Sequence, residues 1–194
     1  MNPNLEFLNS FLDVSEETYQ KIEKIMTYKN LKSGDFIAKP GEISTKAYIL
    51  VSGMMRAYLS SESGKEYNKN FFMPYCFAGS LTALIKKQTS KLSYEALTDC
   101  VLYEADFSDI IELCKKDIQI SNLYSRVLEQ IYISNEERLV ELITMNATER
   151  YIALQKKTPN IDELVPQYQI ASYLGITPVQ LSRIRNKIKS EKNK

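Results

Sequence analysis

Residues 169–188 read QIASYLGITPVQLSRIRNKI, and this stretch predicts two short helices joined by one tight turn. Ile170 and Leu174 place an apolar stripe on the first helix. Gly175 tolerates the left-handed backbone with which a helix commonly ends. Thr177 opens the sequence TPVQ, which has the capping-box pattern and a proline at the first helical position. This arrangement is typical of a helix-turn-helix that reads DNA.

The second of these helices has two different sides. Leu181, Ile184 and Ile188 fall on one side, which predicts that this side packs on the first helix. The opposite side suits the major groove, because arginine can pair with guanine, asparagine with adenine, and valine can touch the thymine methyl group. The residues predicted to contact DNA are Thr177, Val179, Gln180, Ser182, Arg183, Arg185, Asn186 and Lys187. Of these, Arg185 and Lys187 lie on the flanks and are expected to contact phosphates. The alternative is a capped surface helix with a solvated basic face.

The sequence IASYLGITPVQLSRIR, residues 170–185, resembles the DNA-binding helices of the Crp/Fnr regulators. The resemblance implies an α+β fold with an N-terminal antiparallel β-roll like that of cyclic-nucleotide-binding domains at 1–116. It further implies a dimerisation helix at 117–145 and a winged-helix-like helix-turn-helix at 146–194, in which the last wing is expected to be missing. The implied partners are double-stranded DNA and a second copy of the chain, while a small-molecule effector and RNA polymerase are left open.

The composition favours a soluble globular protein. The chain has 194 residues, of which 44% are hydrophobic and 25% charged, and neither a membrane span nor a signal peptide is expected, so we predict a cytoplasmic location. The complete absence of histidine excludes Ser-His-Asp catalysis and histidine-ligated zinc or haem. Three widely spaced cysteines fit neither a disulfide framework nor a metal cluster. We therefore expect no metal, no cofactor and no enzymatic activity.

Basic residues are concentrated at the C-terminal end. From Thr177 to Lys194 six basic residues stand against one acidic residue, a net charge of +5, whereas the whole chain carries +1 and the remainder therefore −4. A basic end on a slightly acidic protein is expected of a nucleic-acid-binding module.

The N-terminal half changes its hydrophobic period. Residues 4–26 have helical spacing and predict a helical lead-in. From Tyr28 to Asp106 short apolar runs alternate with turn residues, which predicts a β-rich roll or barrel. Within it, a hairpin is predicted across Ser52-Gly53, and a further strand after Ser63-Gly64.

An effector pocket is predicted only from the family resemblance. The family holds a cyclic nucleotide with a Gly-acidic pair before a short helix and with a later Arg-Ser pair. The corresponding residues here are Gly79, Ser80, Leu81, Thr89, Ser90 and Lys91. Ser80 stands where the ribose-binding carboxylate would be, and no arginine occurs between Arg56 and Arg126. We therefore expect no response to cyclic AMP, and either another ligand or none.

A long helix with two apolar stripes is predicted after residue 117. The first stripe, spaced by 4, 3 and 4 residues, is assigned to the dimer interface and consists of Ile120, Tyr124, Val127 and Ile131. The second consists of Leu128, Tyr132, Leu139 and Ile143. Two stripes need two partners, the roll and a second subunit. The alternative is one buried helix in a monomer.

Two functions follow from these patterns. The favoured one is a homodimeric transcription regulator. The other is an effector-binding or protein-interaction module with a helical docking tail. Strongly salt-dependent binding to duplex DNA would distinguish the first from the second.

Overall fold

A computed structural model describes residues 2–192, so Met1, Asn193 and Lys194 lie outside the described residues. The eight strands are β1 (Thr27–Leu31), β2 (Phe36–Ala38), β3 (Lys46–Ser52), β4 (Met55–Ser60), β5 (Glu66–Phe72), β6 (Cys76–Ala78), β7 (Ser93–Ala96) and β8 (Cys100–Asp106). The helices are α1 (Pro3–Asn9), α2 (Glu16–Glu23), α3 (Leu81–Lys86), α4 (Phe107–Lys116), α5 (Ile118–Thr144), α6 (Ala147–Lys157), α7 (Ile161–Leu164), α8 (Gln167–Leu174) and α9 (Pro178–Lys192). The predicted α+β fold is confirmed.

The strands form two antiparallel four-stranded sheets that face each other as a roll. Their orders are β1-β8-β3-β6 and β2-β7-β4-β5. Side chains that alternate inward along the strands fill the space between the sheets, among them Leu50, Met55 and Leu102. The predicted β-rich region is therefore confirmed, and its interior is a packed apolar core.

The predicted hairpin across Ser52-Gly53 is wrong. Strand β3 pairs with β6 and β8, whereas β4 pairs with β5 and β7, so the chain leaves one sheet and enters the other at Gly53. Gly53 has φ +89°, and a Cβ atom there would lie 2.4 Å from the carbonyl oxygen of Asp99. The glycine is needed for this crossing and not for a two-residue hairpin turn. The hairpin of this region joins β4 to β5 around Gly64.

A layer of helices covers the outward face of the first sheet. Ile49 and Phe77 project from that face and pack with Leu8 of α1 and with Leu123 and Val127 of α5. Because neighbouring residues of a strand face opposite sides, Leu50 and Ile49 belong to different cores. The lead-in is helical, as predicted, and α5 lies along the roll.

One partly buried carboxylate belongs to the first sheet. Glu104 of β8 lies 2.6 Å from the Nζ atom of Lys46 and 3.0 Å from that of Lys29. Burial alone would raise the pKa of Glu104, but the two paired ammonium groups outweigh it and hold that pKa below its ordinary value. The carboxylate is therefore more stable as an anion in the folded chain than in the unfolded chain.

The C-terminal helices dock on the second sheet. The backbone N–H of Asn68 in β5 donates to Ser172 Oγ (2.9 Å), and this hydroxyl donates to the carbonyl oxygen of Glu66 (2.7 Å). The Asn68 side chain donates to the carbonyl oxygen of Gln169 (3.0 Å), and the rings of Phe71 and Tyr173 are 5.1 Å apart. Since β5 is an edge strand, α8 satisfies backbone groups that a further strand would otherwise pair.

Candidate nucleic-acid interface

The turn between α8 and α9 has the geometry that its sequence predicts. Gly175 has φ 69° and ψ 31°, the left-handed conformation, and the N–H of Ile176 donates to the carbonyl oxygen of Ala171 at 3.0 Å. This six-to-one hydrogen bond closes the end of α8. Ile176 packs on the apolar core of the C-terminal helices, which fixes the direction in which the chain continues.

The first turn of α9 carries a complete capping box. The N–H of Gln180 donates to Thr177 Oγ1 (3.2 Å), and the N–H of Thr177 donates to Gln180 Oε1 (2.9 Å). Two otherwise unpaired N–H groups are satisfied in this way. Thr177 and Gln180, both among the predicted DNA contacts, are exposed and fix the start of the helix.

The two sides of α9 differ in burial. Leu181 is fully buried, and Ile184 and Ile188 pack partly buried against the core of α6, α7 and α8. The opposite side is exposed over its whole length, and its residues are Val179, Ser182, Arg183 and Asn186. These four predicted base contacts thus lie together on one free face, where donors, acceptors and a methyl-bearing side chain are all available to a base edge.

Arg185 and Lys187, the two predicted phosphate contacts, have different surroundings. The guanidinium of Arg185 forms an ion pair with Asp162 and donates from Nε to the hydroxyl of Tyr151 at 3.2 Å. The Arg185 side chain is 22% exposed, so it faces α6 and α7 and not solvent. Lys187 is exposed, and its Nζ lies 4.0 Å from Glu191. Lys187 is available to a phosphate in this structure, whereas Arg185 is engaged within the module.

Tyr151 is the buried centre of this polar cluster. Its hydroxyl donates to Asp162 Oδ2 at 2.5 Å and accepts from Gln155 at 2.9 Å. Burial and the hydrogen bond to Asp162 raise the pKa of Tyr151 to about 12, while the hydrogen bond from Arg185 opposes the rise. The phenol therefore remains a neutral donor at physiological pH, and the cluster ties α9 to α6 and α7.

The start of α6 follows the predicted domain boundary at residue 146, and it lies beside the exposed face of α9, which the sequence did not predict. Asn146 caps α6 by accepting from the N–H groups of Thr148 (2.9 Å) and Glu149 (3.1 Å). Asn146 and Thr148 line a shallow hollow together with Gln180 and Arg183 of α9. The pattern Asn-x-x-Glu marks this helix start, but nothing local brings residue 146 to residue 183.

The first stripe of α5, which the sequence assigned to the dimer interface, packs against its own chain in the structure. Ile120 and Val127 are 3% and 8% exposed. Val127 and the partly buried Ile131 pack with the lead-in helices and with Ile49 of the roll. Ile120 and the partly buried Tyr124 line an apolar cavity beside the roll, so the stripe faces its own chain. Periodicity identified both stripes of α5, but it does not say which partner each stripe faces.

The other stripe of α5 is the free one. Of the predicted second stripe, Leu128 is partly exposed, and Tyr132, Leu139 and Ile143 are exposed. With the exposed Leu142 in place of Ile143, the spacings are 4, 7 and 3 residues. With Asn135 between Tyr132 and Leu139 the spacing is that of coiled-coil a and d positions. Large apolar side chains of the second half of α5 are exposed around this line, and they include Ile133, Val140 and Ile143. An apolar helix face of this extent is typical of an interaction surface.

The residues of the predicted effector pocket do not share one cavity. Gly79 and Leu81 line an apolar cavity beside α5. Ser80 is buried, and Ser90 is 2% exposed, with its hydroxyl donating to the carbonyl oxygen of Leu92 at 2.8 Å. Thr89 and Lys91 are exposed. The predicted set is therefore divided between a cavity wall, a closed local turn and the surface, because a resemblance in sequence does not fix how this loop folds.

The arginine of the roll, Arg56, forms ion pairs with two carboxylates of its own sheet. Arg56 of β4 is buried, and its guanidinium lies 2.5 Å from Glu66 and 2.6 Å from Glu95. Although burial disfavours the charged form, the two carboxylates hold the pKa of Arg56 above its ordinary value. The side chain lies on the sheet face that α8 covers, and it stabilises β4 between β5 and β7.

The fold and the site together define a helix-turn-helix protein built on a roll of the cyclic-nucleotide-binding type. Residues 28–117 match the family model of the cyclic nucleotide-binding domain. The anaerobic regulatory protein of Haemophilus influenzae is 24% identical over 183 residues, which cover 88% of this chain and 70% of the relative. The nitrogen fixation regulation protein FixK of Bradyrhizobium diazoefficiens is 25% identical, with 92% and 78% covered.

Solved structures show the same fold. FixK2 from Bradyrhizobium japonicum superposes with a TM-score of 0.71 at 19% identity, and 86% of each chain is covered. A transcriptional regulator of the Crp/Fnr family from Eubacterium rectale superposes with a TM-score of 0.72 at 15% identity, and 96% of this chain and 88% of that chain are covered. The names of these relatives describe regulators and not enzymes. Among residues 2–192, no helix is both long enough and apolar enough to cross a membrane.

Proposed function

We propose that this protein is a homodimeric, DNA-binding transcription regulator of the Crp/Fnr type that acts in the cytoplasm. The observation that carries the proposal is the free face of α9, whose four polar or methyl-bearing residues lie on a helix fixed by a glycine turn and a capping box. The regulator names of the relatives support it. A helix fixed in this way can enter the major groove without losing its packing on α8.

The basic end of the chain supplies the attraction to DNA that does not depend on sequence. Arg183, Lys187 and Lys189 are exposed on α9, and cations placed along a groove-facing helix release counterions when they meet phosphates. A gel-shift titration against duplex DNA should show an affinity that falls steeply as the salt concentration rises. Salt-independent binding, or none, would favour the protein-interaction alternative.

The second half of α5 supports a homodimer. Its exposed apolar face repeats at coiled-coil spacing, and a second copy related by a twofold axis would bury the same residues on both helices. Helix-turn-helix dimers read two half-sites about one helical turn of DNA apart, and we expect the same of this one. Sedimentation of the purified protein should give a dimer at micromolar concentration, and a stable monomer would contradict this part of the proposal.

The regulator is proposed not to respond to cyclic AMP. A buried cyclic phosphate needs a charge-assisted partner, and Arg56 is already paired with two carboxylates on the other side of its sheet. Ser90 and Ser80 stand where the family has an arginine and a carboxylate, and losing both partners lowers affinity by roughly two to four powers of ten. Calorimetric titration with cyclic AMP should show no micromolar binding, and micromolar binding that changes DNA affinity would overturn the proposal.

A further inference from the structure

An apolar cavity of about 150 Å³ lies between the roll and the helices that cover it. The outward face of the first sheet forms its floor, through Ile49, Phe77 and Tyr103. Helices α2, α4 and α5 form its walls, and α3 contributes Leu81 and Leu84 to the lining. The lining of the cavity therefore comes from the first sheet and from helices α1 to α5.

The sheet residues that form the floor place this cavity outside the interior of the roll. Ile49 pairs with Tyr103 on β8 and with Phe77 on β6, so the three side chains share one face of the sheet. The adjacent residues Leu50 and Leu102 fill the opposite face, inside the roll. A ligand in this cavity would rest on the helix side of the sheet and not in the packed space between the two sheets.

The chemistry of the lining decides which ligands fit. Among the described residues, the side chains that line the cavity are aliphatic or aromatic apart from the thioether of Met26, and none carries a charge or an amide. The hydroxyl groups of its tyrosines are the only side-chain hydrogen-bonding oxygens in that lining. A charged group placed there would be desolvated without a partner, which is strongly unfavourable. The rings of Phe77, Tyr103, Phe107 and Tyr124 offer edges and faces to another ring. Apolar cavities of about this volume accept benzene.

We propose that the cavity is a binding site for a small uncharged aromatic molecule about the size of one substituted benzene ring. Such a ligand fills space between Ile49 of the sheet and Tyr124 and Val127 of α5. It gains dispersion contacts on several sides, since the surrounding side chains are already held by the sheet and the helices. The binding energy comes from apolar surface removed from water, and no ionic contact is needed.

Occupancy of the site should also be sensed by α5. Leu128 lines the cavity and also begins the exposed stripe of α5, so a ligand that shifts this side chain changes both surfaces of the helix. This coupling to dimerisation rests on the proposed function, whereas binding of the aromatic molecule does not. The two claims can therefore fail separately.

The test titrates the full chain with benzene and with toluene and follows methyl resonances by NMR. We expect saturable shifts, with intermolecular nuclear Overhauser effects from ring protons to methyl groups of Leu84, Val127 and Leu128. Benzoate, which has the same ring and a charge, should bind at least about tenfold more weakly. Absence of saturable shifts up to the solubility limit of benzene would overturn the proposal, as would contacts confined to surface methyl groups.

A matched pair of variants locates the site. Ala47 lines the cavity, and Ala47→Leu adds three carbon atoms to it, so benzene affinity should fall at least about tenfold. Ala153→Leu on α6 makes the same change away from the cavity and should leave that affinity unchanged. Equal affinity of the two variants would refute the location. If Ala47→Leu does not fold, the contacts mapped on the unmodified chain decide the question.

Discussion

Replacing Arg185 by alanine tests whether this side chain stabilises the C-terminal helices or contacts DNA. In the structure its guanidinium pairs with Asp162 and donates to the hydroxyl of Tyr151 at 3.2 Å. These contacts join α9 to α6 and α7. Removing the guanidinium leaves Asp162 with Tyr151 and Gln155 as its hydrogen-bond partners and without a cation beside it.

The expected loss of stability follows from burial and charge. A hydrogen bond to a charged group contributes about 1.5–3 kcal/mol when it is buried. The side chains of Arg185 and Asp162 are 22% and 32% exposed, so solvent screens part of the interaction and the lower half of that range applies. We expect Arg185→Ala to lower the free energy of unfolding of the C-terminal helices by about 1.5–2 kcal/mol.

The assay is urea unfolding followed by circular dichroism, together with hydrogen exchange of the amides of α6 and α9. Arg183→Ala is the control, because Arg183 is exposed on the opposite side of the same helix. It should change stability by less than about 0.5 kcal/mol and weaken a specific DNA site by about 1–3 kcal/mol. The reasoning is refuted if Arg185→Ala leaves stability unchanged and weakens all DNA equally, which is the behaviour of a phosphate contact.

Three further changes test the fold and the interface. Leu139→Glu places a charge in the exposed stripe of α5 and should convert the dimer to monomers in sedimentation. Ile43→Glu changes an exposed apolar residue away from α5 and should leave the dimer intact. Gly53→Ala should lower the free energy of unfolding by about 2 kcal/mol or more in urea titrations, and Gly64→Ala by about 1 kcal/mol, since only the first adds a clash to the unfavourable φ. Glu104 has a lowered pKa in the folded chain, so its contribution to the free energy of unfolding is present above about pH 4.5 and is lost as the pH falls further. Glu104→Gln should therefore flatten the acid dependence of the urea midpoint. An unchanged dependence would exclude the Glu104 carboxylate as its source.

The parts of the molecule that the sequence predicted best are those determined by neighbouring residues. Gly175, Thr177 and Gln180 specify a turn and a cap through hydrogen bonds that span at most five residues, and the structure contains all of them. The change from period two to helical period likewise placed the roll and the long helix. Such features follow from local backbone chemistry, so they can be predicted without knowing the tertiary fold.

The errors concern partners that are distant in the chain. A glycine with a positive φ fits both a hairpin and a crossing between sheets, and only the pairing of β3 with β8 shows that Gly53 makes the crossing. The stripe containing Val127 is apolar at coiled-coil spacing, but Val127 meets the lead-in helices and Ile49 of the roll. Arg185 stays a predicted phosphate contact, and its ion pair with Asp162, 23 residues away, is a further feature that helical spacing does not reveal. Packing between elements decided each of these cases.

The measurement that tests the account most directly is selection of bound duplexes from random DNA by the purified protein. If two copies of α9 read DNA from one twofold dimer, the selected sequences should contain two inverted half-sites about 10–10.5 base pairs apart, centre to centre. Arg183→Ala should then relax the preference at one position in each half-site. Recovery of sequences without any shared half-site would contradict the claim that this protein is a sequence-specific DNA-binding regulator.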